Sequence, residues 1–350
     1  MEPVFDGHND VLLRLWGTER SGGDPVAEFI NGTRNGHIDG PRAKAGGLAG
    51  GLCAIYIPSG DLVIDLPDAN GHYRTPLAAP LPRQPSLDTA LEIASIALRL
   101  DRAGAWRLCR STAEIRKAMA DGVFAAVMHM EGCEAIGEDL AALDVFYAAG
   151  LRSLGPVWSR NNIFGHGVPF AFPLSPDTGP GLTDAGFELV KACNRLGILI
   201  DLAHITEKGF WDVAKTTDQP LIASHSNAYA LTPVARNLTD RQMDAIRESR
   251  GLVGLNYATT MLRADGQESA ATPLSDMVRH IDYLVERMGI DCVALGSDFD
   301  GATIPSEIAD AAGNQNLVAA LRNAGYGHDD LAKLCRENWL RVLGEAWHER

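Results

Sequence analysis

His8 and Asp10 stand two residues apart in Val4-Phe5-Asp6-Gly7-His8-Asn9-Asp10. On an extended strand that spacing turns both side chains to one face. A neutral imidazole and a carboxylate converging from one face form half of a site for a borderline metal such as zinc. Glu131, His204, His225 and Asp298 have the same character, each following a short apolar run. All but Asp298 are read as ligands for one or two divalent ions. Glu131 lies between the two groups in chain order and is the natural bridge, with His8 and Asp10 on one side and His204 and His225 on the other. A lone histidine at a strand end is usually a hydrogen-bonded structural residue, and a carboxylate there is often a helix cap. Six suitable residues at equivalent positions favour the metal reading.

Those positions depend on a repeating unit. Apolar, β-rich runs near residues 4, 52, 124, 152, 198, 221, 252 and 292 read as eight strands, most followed by helical periodicity. Expected strands include Val123–Met130, Leu151–Trp158, Ile198–Ala203, Leu221–Ser224, Leu252–Tyr257 and Cys292–Gly296. Ser86 reads as the N-cap of a helix running to about Cys109, and a closing helix is expected over about Asp329–Trp347. Continuous apolar strands separated by amphipathic helices indicate a parallel sheet covered on both faces, and no turn signal suggests hairpins. Eight such units favour a closed α/β (β/α)8 barrel of the TIM type, in one domain over residues 1–350, with active-site residues at the C-terminal mouth. Two Gly/Pro-rich stretches, about Gly17–Pro85 (interrupted by the strand ending at Pro58) and Ser159–Pro180, read as long loops over that mouth, chiefly after strands 1 and 4.

Composition narrows the class. The 350 residues carry 31 Lys plus Arg against 45 Asp plus Glu, a net charge of −14, with 46% hydrophobic and 22% charged residues. So acidic a chain argues against nucleic acid or an anionic membrane as partner, because both need clustered positive charge. MEPVFDGHND has no basic region followed by an apolar run, and no stretch is long enough to span a bilayer. Cys53, Cys109, Cys133, Cys193, Cys292 and Cys335 are scattered singly and read as small packing residues in a reducing compartment, so a cytoplasmic location is expected.

The ordered set His8-Asn9-Asp10, Glu131-Gly132, Asp201-Leu202-Ala203-His204, Ser224-His225-Ser226, Arg236-Asn237 and Gly296-Ser297-Asp298-Phe299-Asp300-Gly301 resembles the motifs of the membrane (renal) dipeptidase family, within the metal-dependent amidohydrolase superfamily. The resemblance spans nearly the whole chain. It implies two Zn2+ ions: His8 and Asp10 on one, His204 and His225 on the other, and Glu131 bridging. It also implies that Asp298 handles protons, that Arg236 binds the C-terminal carboxylate of the substrate, that a D-residue at that end is tolerated, and that the chain is a homodimer. The animal enzymes carry a substrate-binding histidine after strand 4. Here that stretch reads Val157-Trp158-Ser159-Arg160-Asn161-Asn162, leaving Arg160 or an asparagine as the substitute donor.

The implied chemistry is coherent. Two metals flanking a water lower its pKa and polarise the scissile carbonyl, and a carboxylate can carry the proton to the departing amine. A guanidinium fork suits a terminal carboxylate. The expected activity is therefore zinc-dependent dipeptide hydrolysis. Hydrolysis of a lactam or an N-acyl amino acid by the same centre is the alternative, followed by a metal-bound barrel without catalysis.

Overall fold

The computed structural model describes residues 1–60 and 65–348. Its frame is eight parallel strands: β1 (Val4–Asn9), β2 (Leu48–Tyr56), β3 (Ala125–Glu131), β4 (Leu151–Gly155), β5 (Leu199–Ile200), β6 (Ile222–Ala223), β7 (Leu252–Leu255) and β8 (Val293–Leu295). One sheet runs β1-β2-β3-β4-β5, with the short strand Arg107–Leu108 also on β3, and a second runs β8-β7-β6. Isolated parallel bridges, Asp201 with Ile222 and Asn9 with Phe299, link the two sheets at both margins. Parallel neighbours need long crossovers, which explains why helices such as Ala141–Ala149, Asp184–Leu196 and Leu274–Met288 separate the strands.

Phe5, Leu52, Val127, Leu199, Ile222, Leu252 and Ala294, each from a different strand, share one buried cluster with Trp339 from the closing helix. Trp339 is fully buried and its Nε1 donates to the Leu295 carbonyl at 2.9 Å. It needs a glycine opposite: a Cβ on Gly7 would lie 2.2 Å from the indole. A second, larger cluster lies between the outer strand faces and the helices and includes Val4, Met128, Leu154, Val253 and Leu284. All six cysteines are buried and free.

Several sequence expectations need correction. The stretch after β1 is not a long loop: helices Val11–Arg20, Pro25–Asn31 and Gly40–Gly46 occupy it. Pro25 and Pro41 stand in first helical turns, where a missing N–H is harmless, and Asp24 and Asp39 cap those turns. Residues 61–64 of the expected Gly17–Pro85 loop lie outside the described residues. Ser86 is not an N-cap. Its helix is Arg83–Arg102, begun by Pro82, and the Ser86 hydroxyl donates back to the Pro82 carbonyl. The stretch beyond Arg102, expected to be helical to Cys109, contains the Arg107–Leu108 strand instead. Between His328 and Ala346 a π-type turn, Lys333–Glu337, interrupts the α-helix just before Trp339. One antiparallel pair does occur, Tyr73–Arg74 with Ala171–Phe172.

Candidate active site

His8 lies within β1 with Asp10 just beyond it, Glu131 closes β3, and His204 and His225 follow β5 and β6 by a few residues. Asp298 follows β8. The ligand atoms of His8, Asp10 and Glu131 lie within 4.8 Å of one another, as do those of Glu131, His204 and His225. Glu131 Oε1 is common to both groups, 3.6 Å from His8 Nε2, 2.9 Å from His204 Nε2 and 3.6 Å from His225 Nε2. His8 Nε2 is 3.5 Å from Asp10 Oδ2. All five residues are buried.

The hydrogen bonds behind the two histidines set their tautomers. Arg236 Nη2 donates to His204 Nε2 at 2.8 Å, so that nitrogen presents a lone pair and the ring proton sits on Nδ1, which faces Ser159 Oγ at 2.9 Å. Ser224 Oγ donates to Asp201 Oδ2 at 2.6 Å, which leaves it to accept from His225 Nδ1 at 2.7 Å. His225 Nε2 therefore also presents a lone pair, 3.0 Å from that of His204. His204 Nε2 has one lone pair, which Arg236 engages here and would have to release for the nitrogen to hold an ion. Both ring nitrogens of His8 and Oδ1 of Asp10 are buried without a hydrogen-bond partner. This donor set of nitrogen and carboxylate oxygen fits zinc.

The electrostatics carry the same strain. Burial alone would lower His8, yet Glu131 and Asp10 outweigh it and hold the imidazole up at about 10. Glu131 is raised to about 8, first by burial, with His8 opposing. Asp298 is raised by burial too, with Asp10 adding to the effect and His8 and the Asn256 hydrogen bond opposing it. His204 and His225 are held neutral, well below the ordinary histidine range, by burial and then by the neighbouring positive charges. For His8 and Glu131 a bound cation would remove the conflict by stabilising the deprotonated form, and His204 and His225 are already in it.

Arg236 is buried beside the histidines, and burial lowers its guanidinium to about 10 despite Asp298 and Glu131. Its Nε and Nη1 have no hydrogen-bond partner. Arg160 behaves differently. It is fully buried and donates from Nε to Glu134 at 3.0 Å and from Nη2 to the Ile57 carbonyl at 3.1 Å, with Nη1 on Ser59. Arg160 thus braces the loop after β4. Asn161 and Asn162 are likewise engaged within that loop, with Gly167 N–H and the Pro156 carbonyl.

Sequence reading assigned no role to the supporting layer of Ser159, Asp201, Ser224 and Asn256, although Asp201 and Ser224 stand within the motifs Asp201-Leu202-Ala203-His204 and Ser224-His225-Ser226. Asp201 lies close enough to His8 and His225 to be taken for a ligand. Its oxygens already accept from Ala203 N–H, Ser224 N–H and Ser224 Oγ, so it orients the His225 side instead. Only adjacency to His204 and His225 could have flagged Asp201 and Ser224, and nothing in the spacing pointed to Asn256.

Histidines and carboxylates gathered at the carboxyl ends of parallel strands, beside an arginine with unpaired donors, define a metal-dependent hydrolase centre. The family model of membrane dipeptidases, peptidase family M19, matches residues 1–349, and the chain belongs to that family of metallodipeptidases. It is similar to a metallo peptidase from Rhodobacter sphaeroides solved with a phosphinate mimic of the dipeptide L-Ala-D-Ala, at 50% identity and TM-score 0.94 over 99% of both chains. Dipeptidase AC, a metallo peptidase of family M19, matches at 51% identity and TM-score 0.93, again over 99% of both chains. An uncharacterized Klebsiella pneumoniae protein of the pqqA 5′ region is 52% identical over 247 residues, 71% of this chain and 91% of its own length. Among the described residues no helix is long and apolar enough to cross a membrane.

Proposed function

We propose that the chain is a zinc-dependent dipeptidase acting on free dipeptides, including those with a D-residue at the C-terminal end. The frame is a single closed (β/α)8 barrel, a reading supported by the shared interior cluster and by the two bridges between the sheets. His8 and Asp10 would hold one ion and His204 and His225 the second, with Glu131 shared. The observation that carries this reading is the convergence of His204 Nε2 and His225 Nε2 on Glu131 Oε1, at 2.9 and 3.6 Å. The phosphinate dipeptide in the Rhodobacter sphaeroides relative supports the substrate class.

When bound, such ions supply a water of lowered pKa and polarise the scissile carbonyl. The rest falls to the chain. Arg236 receives the substrate carboxylate on its Nη1/Nη2 fork, Nη1 being free of protein partners and Nη2 released once His204 turns to an ion, and so restricts cleavage to very short peptides. Asp298 Oδ1 takes the proton released on attack and returns it to the departing amine. Buried surroundings keep bulk water from competing for that proton.

The test is removal of metal with a chelator, followed by zinc add-back, on a panel of L,L and L,D dipeptides beside a lactam and an N-acyl amino acid. Metal-restored hydrolysis of the dipeptides, at least about tenfold faster than of the other amides, is expected. Hydrolysis of the lactam or N-acyl compound alone would move the reading to the amidohydrolase alternative. A metal-loaded protein inert on the whole panel would remove it.

A further inference from the structure

We propose that Asn256 is the positioning residue that aims Asp298, an inference that rests on the proton-carrying role assigned to Asp298 above. Asp298 opens a tight turn after β8 with φ of 59°, a left-handed backbone that a non-glycine residue adopts only under constraint. Gly301 and Ala302 N–H donate to its carbonyl, and its own N–H donates to the His8 carbonyl. The backbone is thus held, but the carboxylate is a terminal group with a broad torsional preference. Asn256 Nδ2 donates to Asp298 Oδ2 at 2.9 Å. The other oxygen, Oδ1, faces the site: a Cβ on Gly301 would sit 2.5 Å from it and 2.3 Å from Asp10 Oδ2. One oxygen is tethered and the other is left for the proton.

The tether is itself rigid. Asn256 Oδ1 accepts from Ala258 N–H at 2.6 Å, which orients the amide so that Nδ2 must point at the carboxylate. Its backbone N–H donates to Asn227 Oδ1, and its carbonyl accepts from Asn227 Nδ2, both at 2.9 Å. Asn227 in turn follows His225 by two residues, and its N–H donates to Asn237 Oδ1. Asn256 is fully buried. A chain of amides therefore ties Asp298 to the strand that carries His225, so that the proton carrier and the metal-binding half keep one spacing. Misplacing a catalytic group by about an ångström lowers turnover by about 100-fold.

A double-mutant cycle with Asp298→Asn separates this role from packing. Asn256→Ala is expected to lower kcat by about 30- to 100-fold while KM stays within about threefold, with metal content close to wild type and the melting temperature lowered by only about 2–6 °C for the orphaned Ala258 N–H. Asn256→Leu removes the donor and the acceptor without adding charge and is expected to match it, whereas Asn256→Asp sets a second carboxylate against Asp298 and is expected to lose at least as much. In the Asp298→Asn background the Ala or Leu substitution should change kcat by less than about twofold, because its target is already gone. The same fold-loss in both backgrounds, a KM rise equal to the kcat fall, or loss of metal or folded structure in both variants would overturn the proposal. A wild-type kcat in Asp298→Asn alone would instead remove the proton-carrying role on which it rests, a result distinct from any of these.

Discussion

Replacing Arg236 by Met exchanges a buried guanidinium for an apolar side chain of similar length, and two measurements should move in opposite directions. Nε and Nη1 have no partner in the protein, while Nη2 donates to His204. Hydrogen bonds involving a charged partner contribute about 1.5–3 kcal/mol each, so losing a two-pronged clamp on a substrate carboxylate removes about 3–5 kcal/mol. That corresponds to a fall of about 10²- to 10⁴-fold in kcat/KM for free dipeptides. The same dipeptides amidated at the C-terminus offer no carboxylate, and their slow turnover should change by less than about fivefold. Meanwhile each buried donor without a partner destabilises the fold by about 1–3 kcal/mol, so the Met variant should be more stable by about 2 kcal/mol in urea unfolding of the metal-free protein. Steady-state kinetics on matched free and amidated dipeptides give the first readout. Equal losses on both substrates, together with a fall in stability, would show that Arg236 acts as a structural cation and refute the reasoning.

Gly301→Ala places a Cβ against both Asp10 and Asp298 at an exposed turn. It should lower kcat by about 100-fold and reduce bound metal by elemental analysis, with little change in melting temperature. Ser224→Ala breaks the relay from His225 to Asp201 and should weaken metal binding by about 10- to 100-fold in chelator competition. His280, away from the metal cluster, is held down at about 4 by burial, against an ordinary 6.5. The unfolded chain takes up a proton as pH falls below 6.5 while the folded chain does not, so this residue's contribution to stability declines from pH 6.5 toward 4. The stability gap between wild type and His280→Gln should therefore shrink by about 2 kcal/mol between pH 7 and pH 5 in urea unfolding, and an unchanged gap would contradict it.

The strand frame was legible because its side chains answer to two strict periods. Runs such as Val123–Met130 lie close to the observed β3, and the polar residue after each run falls at the strand's carboxyl end, which is why the six candidate residues could be named together. The helices between β1 and β2 were obscured by Gly17, Pro25 and Pro41, which look like breakers in isolation. The Asp24-Pro25 and Asp39-Gly40-Pro41 starts were the available signal, an N-cap followed by proline in the first turn. Ser86 misled because serine is a common N-cap, yet the helix starts three residues earlier, where a proline at the third helical position loses no hydrogen bond. The roles of Asp201, Ser224 and Asn256 depend on which atom donates to which, and periodicity carries no such information.

The adjacency of β1 to the chain around Asp298 has a consequence for the order in which the protein matures. Asp10 N–H donates to the Phe299 carbonyl, and Asp298 N–H to the His8 carbonyl. During synthesis the first pair of donors, His8 and Asp10, leaves the ribosome nearly three hundred residues before its neighbours on that side. Until residues 293–299 emerge, β1 has β2 on one flank and an open edge on the other. A growing chain that has reached His225 already carries all five candidate ligands but no completed wall around them. On the metal reading proposed above, capture of the ions would come late, coupled to closure of that seam. Under that reading a shortage of metal would leave a full-length chain whose earliest and latest strands are less firmly joined.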